Sequence, residues 1–231
     1  MKIGVIDVGN SLIKCAIIED ENILSFEKFH FDSIEKMKNF FENVNEIAYC
    51  SVVEGINIRE VLKDKEIYEL NYQNSLIELN YTKTLGSDRI AKAHYIALKI
   101  KEISIILDFG TASVIDIVDS KFLGGLILIG YRTYLKCLSQ STSKLPNLEY
   151  IEDFKVNKLI GNSTEEAILL GLVNSYKFLI SKIESEFNVK NKFITGGNAK
   201  FFLEYFNDYV YDPYISLKGL FLWFKNFKTK R

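Results

Sequence analysis

Proline is nearly absent from this chain: Pro146 and Pro213 are the only two in 231 residues. No Gly/Ser-rich or charged tract stands in for it, so nothing reads as an extended linker and any domain boundary must be compact. Cysteine is scarce and odd in number, at positions 15, 50 and 137, with no paired spacing. That excludes a disulfide framework or a Cys-based zinc site as the organising principle and suits a reducing compartment. Arginine occurs only at 59, 89, 132 and 231, and 29 basic against 30 acidic residues leave a formal net charge of −1. No broad basic surface for nucleic acid or acidic lipid is therefore expected. Long apolar runs are missing too. The longest charge-free stretches, Phe122–Tyr131 and Ala167–Tyr176, are ten residues each, about half of what a membrane span needs. Asp7 interrupts the first apolar run before a signal-peptide core could form, so neither export nor a membrane partner is expected.

What is present is an ordinary globular composition, 48% hydrophobic and 26% charged, with 17 Phe and 13 Tyr scattered along the chain. The length allows one large domain or two small ones. Periodicity predicts strands at Ile3–Ile6, Ile13–Ile18 and Ser25–Phe31. A helix from Ser33 to about Asn43 follows, with Ile34, Met37, Phe40, Phe41 and Val44 on one face. A strand at Ile47–Val53, a helix near Ile56–Lys63, a strand at Ile67–Leu70 and a helix from Ser87 or Asp88 to about Lys101 come next. The opening pattern then returns, since Ile105–Thr111 mirrors Gly4–Asn10. Asp7 and Asp108 are 108 − 7 = 101 residues apart, a spacing that reads as domain duplication rather than a solenoid repeat. Strands at Ala112–Val118, Phe122–Ile129 and Lys192–Thr195 and helices near Tyr131–Ser141, Ser163–Phe187, Ala199–Phe206 and Ser216–Phe227 complete the reading. The expected fold is α/β: two domains of similar build, residues 1–104 and 105–231, with mixed sheets flanked by helices and a ligand cleft between them.

Several short motifs could carry chemistry. Asp7-Val8-Gly9-Asn10-Ser11 ends a strand in a tight turn whose N–H groups can hold an anion. Lys14 on the next strand is placed to meet a phosphate. Alone, this reads first as a hairpin turn. Asp108-Phe109-Gly110-Thr111 repeats the device, and two such loops suit a nucleotide polyphosphate and its cation. Thr195-Gly196-Gly197-Asn198 follows a strand and opens a helix, where backbone can approach a ligand closely. Gly124-Gly125 inside an apolar strand marks a bulge or a close backbone contact. Gly86-Ser87-Asp88-Arg89 begins a helix. Either Ser87 or Asp88 merely caps it, or a carboxylate to accept a proton stands beside a guanidinium to clamp an anion. Ser163-x-x-Glu166 is a capping box, with Thr164 free to present its hydroxyl. His30 and His94 have no partner at metal or catalytic spacing and read as packing residues.

In order along the chain, these motifs resemble the type III pantothenate kinases of the acetate and sugar kinase/Hsc70/actin superfamily. The set consists of Asp7–Ser11 with Lys14, Leu85–Arg89, Asp108–Ala112, Gly124–Ile127, Asn162-Ser163-Thr164-x-x-Ala167 and Thr195–Ala199. Ser11 stands where Thr is usual, and Ile129 where Pro is usual. The resemblance implies two similar RNase H-like (actin-like ATPase) domains, in agreement with the repeat, and a cytoplasmic kinase that transfers phosphate from ATP to pantothenate, giving 4′-phosphopantothenate, the first step toward coenzyme A. By the same resemblance Asp7, Val8, Gly9, Asn10, Ser11, Leu12, Ile13, Lys14, Thr111, Gly196 and Gly197 would bind ATP. Asp7 would lie near Mg²⁺ through water, and Asp108 would hold a monovalent cation, K⁺ or NH₄⁺. Tyr81, Gly86, Ser87, Asp88, Arg89 and Thr164 would bind pantothenate, with Asp88 as general base and Thr164 acting across a homodimer interface. Two alternatives remain at this point: a kinase of the same superfamily for another small hydroxylated substrate, and a non-catalytic nucleotide-binding regulator.

Overall fold

The computed structural model describes residues 2–148, 154 and 158–230. The chain forms two compact units. The first comprises Met1–Glu102, Val118–Gly124 and Tyr214–Arg231, and the second Ile103–Ile117 and Gly125–Pro213.

The first unit is built on a five-stranded sheet. Its strands are β1 (Lys2–Val8), β2 (Ile13–Glu19), β3 (Asn22–Phe29), β4 (Glu46–Ser51) and β5 (Glu66–Glu69), in the order β3-β2-β1-β4-β5. β1 pairs antiparallel with β2 and parallel with β4. Residues 3–8 of β1 are all buried, as expected of a central strand covered on both faces. β3 has mostly exposed residues and forms the sheet edge.

The helical pattern after β3 becomes a 3₁₀ segment, Phe31–Lys36, followed by the short α1 (Met37–Phe40). The expected apolar face survives: Met37, Phe41 and Val44 are buried, and Ile34 and Phe40 pack against the same core. Non-helical angles at Ser33 break the longer helix that the periodicity suggested. α2 (Ile58–Val61) is likewise a single turn. His30, expected to pack, is exposed. α3 (Ser87–Tyr95) continues as a π-helical turn, Ile96–Ile100, and ends at Lys101 with φ +60°. The Lys101 N–H reaches back five residues to the Ile96 carbonyl at 2.8 Å, which widens that last turn.

The second unit carries the other five-stranded sheet, in the order β10-β9-β6-β7-β8. Its strands are β6 (Ser104–Phe109), β7 (Ala112–Val118), β8 (Phe122–Ile129), β9 (Asn191–Thr195) and β10 (Val210–Tyr211), with β6 parallel to β9. β10 is two residues long and left no periodic signal in the sequence. Packed here are α4 (Tyr131–Ser141), α5 (Thr164–Phe187) and α6 (Ala199–Phe202), the last shorter than the Ala199–Phe206 reading. An aromatic stack forms much of this core. Phe109 lies 3.8 Å from Phe202, and Tyr131 lies 4.0 Å from Phe201, ring centre to ring centre.

The last helix, α7 (Ile215–Thr229), belongs to the first unit and packs on α3. The two approach so closely that a Cβ at Gly219 would collide with the Ala91 carbonyl oxygen. Backbone there cannot yield as a flexible side chain could, so Gly219→Ala must force the helices apart. The expected loss is about 2–3 kcal/mol of unfolding free energy, measurable as a lower denaturation midpoint; unchanged stability would show that the helices can part at no cost.

Candidate functional site

In the first unit, the sheet brings two sequence motifs together at one end. β1 and β2 place Lys14 directly opposite Asp7, and β4 places Cys50 beside Asp7 on the other side. The tight turn between β1 and β2 closes with the Gly9 N–H bonded to the Leu12 carbonyl at 3.1 Å. Within it Asn10 and Ser11 are exposed, while Val8 and Ile13 at its feet are buried.

Asp7 itself is only 4% exposed, so its carboxylate needs partners. Oδ2 accepts from Ser216 Oγ at 2.6 Å and from Lys14 Nζ at 3.4 Å. Oδ1 faces the Cys50 thiol at 3.8 Å. Burial pushes the Cys50 thiol well up; the Asp7 and Asp88 carboxylates reinforce that shift, and Lys92 and Lys14 oppose it. Cys50 is therefore a protonated thiol that donates, and it lies within electrostatic reach of all four charges.

The second motif opens α3. Gly86 precedes the first turn, and the Ser87 hydroxyl donates to the Ser51 carbonyl at 2.8 Å, tying the helix start to the end of β4. Asp88, half-buried, accepts from Lys92 Nζ at 3.0 Å through Oδ2. Its Oδ1 stands over Gly86, where an added Cβ would come within 2.7 Å. Arg89 is 5% exposed and so is not the solvated first-turn residue that its position allowed. Its guanidinium lies 5.2 Å from the Tyr81 ring centre and 5.4 Å from that of Phe122, within cation–π range. Tyr81 and Phe122 meet edge to face because Leu79 bridges to Phe122 in parallel fashion.

The Tyr81 segment is anchored from both ends. Tyr72 Oη donates to the Tyr81 carbonyl at 2.8 Å. His94 accepts the Leu76 N–H at Nε2, 3.1 Å, and its Nδ1 lies 2.8 Å from the Ile90 carbonyl. An imidazole with that pair of partners is neutral and carries its proton on Nδ1. His94 is thus a satisfied buried residue, as expected.

In the second unit, the repeated turn is built differently. The Gly110 N–H bonds to the Ala112 carbonyl at 3.1 Å, leaving only Gly110 and Thr111 between β6 and β7. Asp108 is half-buried and lies opposite Thr195 in the parallel β6–β9 register. Gly196 has φ +101°, and a Cβ there would stand 2.6 Å from Asp108 Oδ1 and 2.5 Å from the Phe109 carbonyl. Only glycine meets both conditions. The Asn198 N–H donates to the Phe109 carbonyl and its Nδ2 to the Gly110 carbonyl, at 2.8 and 2.9 Å. Arg132 Nε donates in turn to Asn198 Oδ1 at 3.2 Å. Thr111 is exposed, and its carbonyl accepts the Thr133 hydroxyl. Gly197 is open to solvent. Thr164 lies apart from this cluster along the chain, exposed in the first turn of α5. Ser163 caps that turn by accepting the Glu166 N–H at 3.1 Å.

Lys92 and Ser216 were not singled out from the sequence. Lys92 had a readable signal, the helical i, i+4 spacing from Asp88. Ser216 had none, being 209 positions from its partner Asp7. Among the described residues no three His, Cys, Asp or Glu side chains gather as a metal site, and no helix is long and apolar enough to cross a membrane.

Two RNase H-like halves of this kind define an actin-like ATPase fold. Solved structures agree. A Campylobacter jejuni protein described as a conserved Baf family transcriptional activator superposes with a TM-score of 0.73 at 24% identity, over 98% of this chain and 99% of that one. The ethanolamine utilization protein EutJ of Carboxydothermus hydrogenoformans superposes with a TM-score of 0.53 at 12% identity, over 96% and 90%. Sequence narrows the class further. A family model for type III pantothenate kinase matches residues 4–186. The type III pantothenate kinases of Methylacidiphilum infernorum and Aquifex aeolicus are each 30% identical to this chain, covering 93% and 95% of it and 85% and 96% of the relatives. The chain belongs to the type III pantothenate kinase family.

The anchoring of the Tyr81 segment has a pH signature. Burial lowers the His94 pKa from 6.5 to about 4, so between those values the unfolded chain binds a proton that the folded one refuses. The stabilisation is complete above pH 6.5 and is lost as pH falls toward 4, by ~3 kcal/mol in all. Urea midpoints should drop over that range more steeply for the wild type than for His94→Gln; equal slopes would refute the assignment.

Proposed function

We propose that this protein phosphorylates pantothenate with ATP, giving 4′-phosphopantothenate and so opening coenzyme A biosynthesis. The observation that carries this reading is the meeting of the Asp7–Lys14 and Asp88–Lys92 pairs around Cys50, in a chain of this family. One pair sits on the first phosphate-type turn and the other at the head of the helix that bears Arg89.

In the proposed reaction the primary hydroxyl of pantothenate attacks the γ-phosphorus of ATP. The bond from phosphorus to the bridging oxygen breaks, and ADP leaves with that electron pair. Asp88 accepts the hydroxyl proton as the new bond develops. Such transfers need in-line placement and charge neutralisation more than a strong base. The turn amides of Asn10 to Leu12, together with Lys14, would cradle the phosphates, the Gly9 N–H being spent on closing the turn. Arg89 would receive the carboxylate of pantothenate, its orientation set by the rings of Tyr81 and Phe122. Gly86 and Ser87 shape that end of the site, and Thr111, Gly196 and Gly197 would line the nucleotide.

The donor set fits a hydrated Mg²⁺. The Asp7 oxygens already accept from Ser216 and Lys14 and face the Cys50 thiol, so Asp7 would hold the ion through its water shell, which Mg²⁺ gives up reluctantly. Bound there, the ion would neutralise phosphate charge. Asp108, a half-buried carboxylate at a turn rich in main-chain carbonyls, suits a weakly hydrated monovalent cation, K⁺ or NH₄⁺. A cytoplasmic homodimer in which Thr164 reaches a neighbouring site belongs to the same reading. The exposed Leu126, Ile127 and Ile129 on β8 and Phe178 on α5 support an interface there.

A purified-protein assay with ATP and pantothenate tests the whole. Asp88→Asn should reduce turnover by about 100- to 10,000-fold while ATP affinity measured by calorimetry holds; a near-wild-type rate overturns the base assignment. Activity should also fall when Na⁺ replaces K⁺ throughout. Full activity in Na⁺ alone removes Asp108 as ligand of a required cation.

A further inference from the structure

Lys92 is 2% exposed, an uncommon position for an ammonium group, which is rarely taken out of water without a purpose or a partner. Its partner is the carboxylate of Asp88, 3.0 Å away and one helical turn toward the N-terminus. The two groups are unequally placed: the Asp88 side chain retains 25% exposure while that of Lys92 retains 2%. The ammonium therefore approaches Asp88 from the protein side and leaves the outer side open.

The contact uses only Oδ2. Oδ1 stands over Gly86, at the one place along that turn where the absence of a side chain leaves room for it. With Oδ2 held by a charge-assisted bond, the carboxylate plane cannot rotate freely, and one defined oxygen is presented. On the packed strands, Asp7 of β1 and Lys14 of β2 act, with Asp88 and Lys92, on the protonated Cys50 thiol of β4. Lys14 is engaged with Asp7, so Lys92 is the ammonium group in direct contact with Asp88.

We propose that Lys92 is a positioning residue for phosphoryl transfer: it fixes the Asp88 carboxylate through Oδ2, so that Oδ1 is the oxygen that meets the substrate hydroxyl. The proposal rests on Asp88 being the base. Lys92 neither gives nor takes a proton in the cycle. It remains an ammonium, and it also offsets the Asp88 charge as two anionic substrates arrive. This accounts for a buried lysine at a position where an apolar residue would otherwise satisfy the helix face between Ala91 and Ala93, both fully buried.

The test is a double-mutant cycle on the full chain, reading kcat, both KM values and the thermal midpoint. Lys92→Met keeps the length and removes the charge; should it fail to fold, Lys92→Gln, which keeps an N–H donor in the same space, is read in its place. The expected result is a loss of about 100-fold in kcat, the scale of a misplaced catalytic group, with KM for ATP nearly unchanged. Against Asp88→Asn, the same substitution should add almost no further loss, because residues acting as a unit are not additive. A folded Lys92 variant with wild-type kcat overturns the proposal, and so does a loss that adds in full to that of Asp88→Asn. Wild-type turnover in Asp88→Asn itself is a separate outcome: it removes the base assignment on which the Lys92 role rests.

Discussion

The first unit depends on how closely α3 and α7 can approach. Gly219 has no side chain, and the Ala91 carbonyl occupies the space one would need. The two helices that meet there each carry part of the candidate site of this unit. α3 carries Asp88, Arg89 and Lys92 in its first two turns. α7 carries Ser216, three residues before Gly219, whose hydroxyl meets Asp7 at 2.6 Å. Farther along, Trp223 Nε1 donates to the Asn74 carbonyl at 3.0 Å, steadying the segment that leads to Tyr81. Separating the helices by a side chain's width would therefore disturb both carboxylates together.

A chain with a net charge of −1 cannot attract polyanions by its overall field, so it must concentrate cations locally. Each one carries a solvation problem, and each has a different solution. Lys14, partly exposed, pairs across the β1–β2 ladder with Asp7. Lys92, deeply buried, is paired one turn along its own helix. Arg89 is covered by two aromatic rings, which tolerate a weakly hydrated guanidinium better than they would an ammonium. Removing Asp88 would take an ion-pair partner from an ammonium that is 2% exposed, a larger penalty than losing a surface pair incurs.

The duplicated turn shows how one motif can be supported in two ways. After β1, four residues separate the paired Val8 and Ile13, and Asp7 is held by side chains from β2, β4 and α7. After β6 the turn is only two residues long, and it is held by the backbone and amide of Asn198 and by the bare Cα of Gly196. The first arrangement leaves a longer loop with exposed polar residues. The second leaves a carboxylate against main chain.

The sequence by itself determined the succession of strands β1 to β9, the 101-residue repeat and the motifs of the candidate site, because strand periodicity and turn chemistry are local. Family membership was legible in the same motifs taken together. Helix lengths were less so: the 3₁₀ segment before α1 and the π turn after α3 share the apolar spacing of an ordinary helix, and local pattern does not separate them. The two-residue β10 was too short to leave a pattern at all. Only tertiary structure decided what holds the motif residues. Ser216 reaches Asp7 across most of the chain, Arg89 is buried by Phe122, and α7 joins the first unit although it is encoded last. Such contacts are set by which surfaces can pack most closely, and here a glycine against a carbonyl, invisible in any window of sequence, made that choice.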